Sequence, residues 1–155
     1  MGLIEFVKDA GERIFGQART MPAGDAQAET AASEALVKAV TALGIPVTNL
    51  AIHVTGDVAT VSGQTTSQAD REKVVLAVGN THGIARVDDQ LTVEQPAPEA
   101  TYYTVERGDT LSKIAQEHYG DASKYSVIFE ANRPMLKDPN KIYPGQKLRI
   151  PPLSP

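Results

Sequence analysis

Two alternating runs joined by Gly56-Asp57 constrain this chain more than any other feature in it. Leu50-Ala-Ile-His-Val-Thr55 alternates apolar and polar positions, Gly-Asp is a two-residue hairpin signature, and Val58-Ala-Thr-Val-Ser-Gly63 returns in the same rhythm. Closing the ladder on that turn pairs Val54 with Ala59, Ile52 with Val61 and Leu50 with Gly63. All six then share one face, with His53 and Thr60 on the other, so the register is self-consistent and His53 is expected to face solvent.

Flanking segments supply the helices that would cover such a face. Ala26 to Leu43 reads as an Ala-rich helix with Leu36, Val40 and Leu43 as its buried stripe, stopped by Gly44 with Pro46 beyond. Ser67 offers an N-cap with Asp70 three residues later. The helix it opens carries Val74, Val75, Leu76 and Val78 and stops at Gly79-Asn80. Residues 84–93 then read as a strand in which Val87, Leu91 and Val93 alternate. Asp89 falls on their side, which predicts a bulge or a sheet edge there.

Ahead of these, residues 3–15 place Leu3, Val7, Ala10 and Ile14 at helical spacing with Phe6 beside them, while Gly11 weakens or bends the pattern. Two readings stay open: a helix that docks over the sheet, or a distorted turn at residues 7–11 that leaves carbonyls available to a ligand. Gly16, Pro22 and Gly24 mark residues 16–25 as a loop. Gln95-Pro-Ala-Pro-Glu-Ala100 is a stiff linker. The chain therefore divides into an N-terminal helix and loop (1–25), a first domain (26–94), a linker (95–101) and a second domain (102–152).

Composition narrows the function classes. The 155 residues, 41% hydrophobic and 22% charged, are those of a folded soluble protein. There are no cysteines, so neither a disulfide framework nor a thiolate metal site is possible, and a reducing compartment is expected. Glu5, Lys8-Asp9 and Glu12-Arg13 interrupt the start before any secretory signal forms, and no run approaches the ~20 apolar residues of a membrane span. Phe6 stands where a myristoylation motif needs Ser or Thr. A cytoplasmic monomer is the expectation. Residues 1–100 carry 7 Lys/Arg against 13 Asp/Glu, and residues 101–155 carry 8 against 6. The acidic first part disfavours nucleic acid and anionic lipid, and a cation is the more natural guest. His53, His82 and His118 are scattered, Ser112 and Ser126 have no base beside them, and Gly120-Asp-Ala-Ser-Lys124 lacks the Gly-Lys pair of a phosphate loop. No enzyme is expected.

The order helix, strand, strand, helix, strand over residues 26–93, with Val58 to Gly63 and Gly83-Ile-Ala-Arg-Val-Asp-Asp-Gln-Leu91, resembles a BON domain. Further on, Tyr103-Thr-Val-Glu-Arg-Gly-Asp-Thr-Leu111 runs a strand into a helix with Asp109 as the expected N-cap. Ile114 and Ala115 take its buried face and Tyr119-Gly120 its end. Tyr125, Ile128, Phe129 and Asn132 mark a second helix halted by Pro134, and Ile142-Tyr-Pro-Gly-Gln-Lys-Leu-Arg-Ile-Pro151 makes a turn and a last strand. This looks like a complete LysM module. The implied class is α+β: a BON-type αββαβ domain with an N-terminal helix, then a βααβ LysM domain.

Met-Gly-Leu-Ile-Glu-Phe-Val-Lys-Asp-Ala-Gly-Glu at the start, Val78-Gly79-Asn80, Val87-Asp-Asp-Gln90 and Phe129-Glu-Ala-Asn-Arg-Pro-Met-Leu136 together resemble the bacterial cytoplasmic potassium-binding proteins over nearly the whole chain. That resemblance implies one K⁺, enclosed by the BON domain and the N-terminal segment, with the LysM domain packed against them and stabilising the bound form. It assigns the ion to main-chain oxygens of Val7, Ala10, Gly79, Thr81 and Ile84, with at least one more. The chemistry agrees, since K⁺ is held by neutral carbonyls and helix C-termini leave their last four carbonyls unpaired and partly negative. On spacing alone, Gly79 reads as an ordinary helix stop, and only the resemblance assigns it to the ion. Thr81, followed by His82, stands where the family carries a bulky aliphatic residue. Asp88 and Asp89, adjacent in a strand, point to opposite faces and do not make a divalent site. The competing partner is peptidoglycan. Resemblance to LysM modules implies N-acetylglucosamine polymers held between Gly108-Asp109-Thr110 and the loop before the last strand, with Asn132 and Tyr143 contributing.

Overall fold

The computed structural model describes residues 2–6, 26–81, 84–97, 100–133 and 136–151. The hairpin is its centre. β2 (Thr48–Thr55) and β3 (Val58–Ser67) turn at Gly56, whose φ is 63°. Val54 faces Ala59 and Ile52 faces Val61, all four buried, and His53 opposite Thr60 is exposed. The expected Leu50–Gly63 pair does not form, because the register shifts between Ala51↔Ser62 and Thr48↔Gln64. Asn49 takes φ 57° there, and Gly63 takes φ 139°. A Cβ on Gly63 would sit 2.9 Å from Val47 Cγ1 and 3.0 Å from the Thr48 carbonyl. A bulge and a close backbone approach thus replace the regular ladder.

Helices α1 (Ala26–Leu43) and α2 (Gln68–Gly79) pack on this sheet and on each other. Ser67 caps α2 as expected, its hydroxyl accepting from the Asp70 N–H at 3.1 Å. α2 carries the chain over to β4 (Arg86–Gln95), which runs parallel to β3 from Val58↔Arg86 onward. Leu36, Val40, Val61, Val74, Val78 and Val87 are fully buried between helices and sheet.

Two expectations are corrected here. Residues 3–5 are not helical: β1 (Gly2–Glu5) pairs antiparallel with β4, placing Leu3 opposite Asp88 and Ile4 opposite Val87. The Phe6 N–H extends the contact to the Ala85 carbonyl at 2.9 Å. So few residues cannot distinguish a helical period from a strand, and the open side of β4 decides it. Residues 7–15 of that expected helix lie outside the described residues. Asp89 is at neither a bulge nor an edge. The strand order is β1-β4-β3-β2, so β4 is internal, and its register is unbroken at Asp89. The carboxylate is accommodated by α2, where Arg71 Nε donates to Asp89 Oδ2 at 2.9 Å.

The second sheet pairs β5 (Thr101–Thr104) with β6 (Lys147–Ile150), antiparallel. α3 (Leu111–Tyr119), a 3₁₀ turn (Ala122–Lys124) and α4 (Tyr125–Ala131) complete the βααβ unit around Leu111, Ile114, Ile128, Leu136 and Leu148. Thr110, not Asp109, caps α3 by accepting from the Lys113 N–H. Gly120 closes that helix in the left-handed region at φ 73°. No helix among the described residues is long and apolar enough to cross a membrane.

Candidate cation site

α2 is buried on two sides. Val74, Val75 and Val78 belong to the first core. Gln68, Glu72, Leu76 and Asn80 recur every four residues, lie on one stripe, and are buried as well, although Leu76 joins neither core. That second row meets β6, so the two sheets sandwich the helix.

Its C-terminal end is closed by backbone hydrogen bonds. The Asn80 N–H donates to the Leu76 carbonyl at 2.8 Å and the Thr81 N–H to the Val78 carbonyl at 3.3 Å. A trans peptide sets its C=O opposite to its N–H, so the Gly79 carbonyl projects forward off the helix end. The Ile84 N–H donates to the Thr81 carbonyl at 3.1 Å, closing a turn that brings Thr81 and Ile84 together. Among the described residues no backbone N–H is bonded to the Gly79 or Ile84 carbonyl. Gly79, Thr81 and Ile84 are all buried. The Thr81 hydroxyl turns back onto the Ala77 carbonyl at 3.1 Å, which is how a polar side chain fits a buried position. Val7 and Ala10 lie outside the described residues.

Phe6 seals one side. A Cβ built on Gly79 would lie 2.1 to 2.3 Å from three atoms of its ring, so glycine is needed there for space rather than for φ. Lys147 Nζ stands 5.2 Å from the centroid of the same ring. Burial pulls the Lys147 pKa below the ordinary lysine value, against a smaller opposite pull from Glu5.

Sequence reasoning missed the polar ties between α2 and β6. Asn80 Nδ2 donates to the Lys147 carbonyl at 2.7 Å, and the Lys147 N–H donates to Asn80 Oδ1 at 2.8 Å. The Tyr143 hydroxyl reaches the Asn80 carbonyl at 3.5 Å. Arg149 Nε donates to Glu72 Oε1 at 2.8 Å, while Gln68 Nε2 and the Ala100 N–H both donate to Glu72 Oε2. The available signal was weak: Gln68, Glu72 and Asn80 share a stripe with the apolar Leu76, but Asp70, Arg71 and Lys73 make the first half of the helix polar on its other sides as well.

The residues expected at a glycan groove do not share one environment. Gly108 and Thr110 are exposed. Asp109 accepts from the Tyr103 hydroxyl at 2.5 Å and from the Glu106 N–H at 2.8 Å. The Tyr103 bond, chiefly, holds the Asp109 carboxyl below the usual carboxylate range, and Asp109 pushes the Tyr103 hydroxyl up. Asn132 is buried, donating to the Ile128 and Arg149 carbonyls and accepting the Arg149 N–H. Tyr143 faces the end of α2. An open groove between α1 and β2, lined by Ala31, Glu34, Lys38 and Ile52, includes none of the expected site residues.

Comparison with known proteins matches residues 24–95 to the BON domain and residues 103–151 to the LysM domain. The chain is 49% identical over 152 residues to the potassium binding protein Kbp of Escherichia coli, covering 97% of this chain and 99% of that one. Shorter similarities reach a protein of Deinococcus radiodurans, 53% identical over 51 residues (33% of this chain, 19% of that one). An esterase of Mycobacterium tuberculosis is 49% identical over 53 residues, which is 34% of this chain and 11% of the esterase.

Proposed function

This chain belongs to the family of the Escherichia coli protein Kbp, and from that premise we propose that it is a K⁺-binding protein, not an enzyme, acting as a cytoplasmic monomer that senses or buffers the ion. One K⁺ is held by the main-chain oxygens of Gly79, Thr81 and Ile84, joined by those of Val7 and Ala10 from the N-terminal segment and by at least one more. The observation that carries this reading is the end of α2. There, Gly79 and Ile84 are buried, and among the described residues their carbonyls receive no backbone hydrogen bond. Gly79 lies at the partly negative terminus of α2, and the Ile84–Thr81 bond brings Ile84 back toward that end.

The donor set fits the ion. Neutral carbonyls suit a large, weakly hydrated monovalent cation, whereas Mg²⁺ and Ca²⁺ want several carboxylates. Asp89 is committed to Arg71 and Glu72 to Arg149. Among the described residues no three His, Asp or Glu side chains come together as a metal-holding group. Docking of the LysM domain on the second face of α2 stabilises the bound form.

Isothermal titration of metal-free protein with KCl, beside NaCl and MgCl₂ at matched ionic strength, tests the reading. Saturable one-site uptake of K⁺ alone is expected. Absence of K⁺ heat, together with no K⁺-specific change in melting temperature, would overturn it.

A further inference from the structure

Asn80 lies between the Gly79 and Thr81 carbonyls, and its backbone and side chain are engaged in opposite directions. The N–H goes back into the helix, to the Leu76 carbonyl at 2.8 Å. The side-chain amide goes forward, taking both the N–H and the carbonyl of Lys147 at 2.8 and 2.7 Å. A primary amide matched to a strand residue in this way fixes distance and orientation together, because it spends one donor and one acceptor on a single partner. The Asn80 carbonyl itself meets the Tyr143 hydroxyl, so the LysM side approaches the residue that separates the two proposed ligands. On the other flank the Phe6 ring closes on Gly79.

We propose that Asn80 is a positioning residue that couples docking of the LysM domain to ion affinity, by holding the Gly79-Asn80-Thr81 turn so that its flanking carbonyls face the ion. This rests on the K⁺ reading above. Thermodynamic reciprocity then gives it a second face: if docking through Asn80 raises affinity for K⁺, K⁺ must tighten docking by the same factor.

The test uses the full chain. K⁺ affinity is measured by titration for the wild type, Asn80→Ala and Glu72→Gln. The last loosens the same interface two helical turns away from the carbonyls. Asn80→Ala is expected to weaken K⁺ binding about tenfold or more, and Glu72→Gln by a smaller factor. In the wild type, hydrogen exchange at the Lys147 amide, the donor to Asn80, is expected to slow on saturation with KCl relative to NaCl at equal ionic strength. In Asn80→Ala that K⁺ dependence disappears. Unchanged affinity in Asn80→Ala, equal losses in the two variants, or a wild-type Lys147 amide indifferent to K⁺ would each overturn the coupling. Should Asn80→Ala fail to fold, the wild-type exchange measurement decides alone. A wild type that takes up no K⁺ overturns the ion reading and the coupling with it. A wild type that binds K⁺ no better than Asn80→Ala overturns the coupling only.

Discussion

Gly79 shows how one residue answers to two neighbours at once. As the last position of α2 it costs helix stability, and alanine would recover about 0.5–1 kcal/mol on that count. The Phe6 ring, however, occupies the space of the missing methyl, with three ring atoms inside 2.3 Å of a built Cβ. Forcing volume into a packed site costs about 1–3 kcal/mol, so the clash wins. Gly79→Ala is expected to lower stability by a net of up to about 2.5 kcal/mol in urea unfolding. In a Phe6→Ala background the same substitution should become neutral or stabilising, and a cost that persists there would mean that the ring is not its cause. The helix stop at Gly79-Asn80 was legible in the sequence because capping is local. The demand for an absent side chain was not, because the ring that imposes it comes from the far end of the chain. Gly63 follows the same logic. Its alternation with Val61 and Ala59 suggested a regular partner for Leu50, and only Val47 and Thr48, folded against it, reveal the bulge.

Elements were readable in proportion to how much of their stabilisation is local. α1, the hairpin turn and the start of α2 carry their own periodicity and caps, and they stand where the sequence placed them. β1 does not, because its four residues become a strand only through the free side of β4. Asp89 was expected to mark an irregularity, yet Arg71, placed on α2 above it, makes the regular strand tolerable. The second face of α2 is the same kind of information, since Glu72 and Asn80 look like solvated positions until β6 covers them. This face has a measurable signature. Removing one partner of a buried ion pair costs about 3–5 kcal/mol, whereas replacing both by apolar groups of similar volume is often close to neutral. Glu72→Ala is therefore expected to cost about 3–5 kcal/mol in denaturant unfolding. Glu72→Leu with Arg149→Met should cost less, leaving about 1–3 kcal/mol for the Ala100 N–H and the Gln68 amide, which both lose their acceptor. Equal losses in the single and double variants would show that water reaches Arg149 once Glu72 is gone.

The whole molecule is two small units, matched over residues 24–95 and 103–151, and cores of that size supply only about 3–5 kcal/mol each. Contacts between them therefore weigh heavily, and so would an ion held at the end of α2, the helix that packs against both sheets. A ligand at 100 times its dissociation constant stabilises the folded form by about 2.7 kcal/mol. For a chain of this length that corresponds to a rise in melting temperature of roughly 5–10 °C. Non-specific screening cannot imitate it, because NaCl at equal ionic strength screens surface charge equally. The chain also carries a built-in way to ask which unit responds. All five tyrosines lie beyond residue 101 and there is no tryptophan, so tyrosine fluorescence reports the LysM unit while far-UV circular dichroism reports both. If the ion holds α2 and α2 holds β6 through Asn80 and Glu72, the two midpoints should rise together by that amount in KCl and not in NaCl. A circular dichroism midpoint that rises while the tyrosine midpoint stays put would confine the ion to the first unit and remove docking from the mechanism.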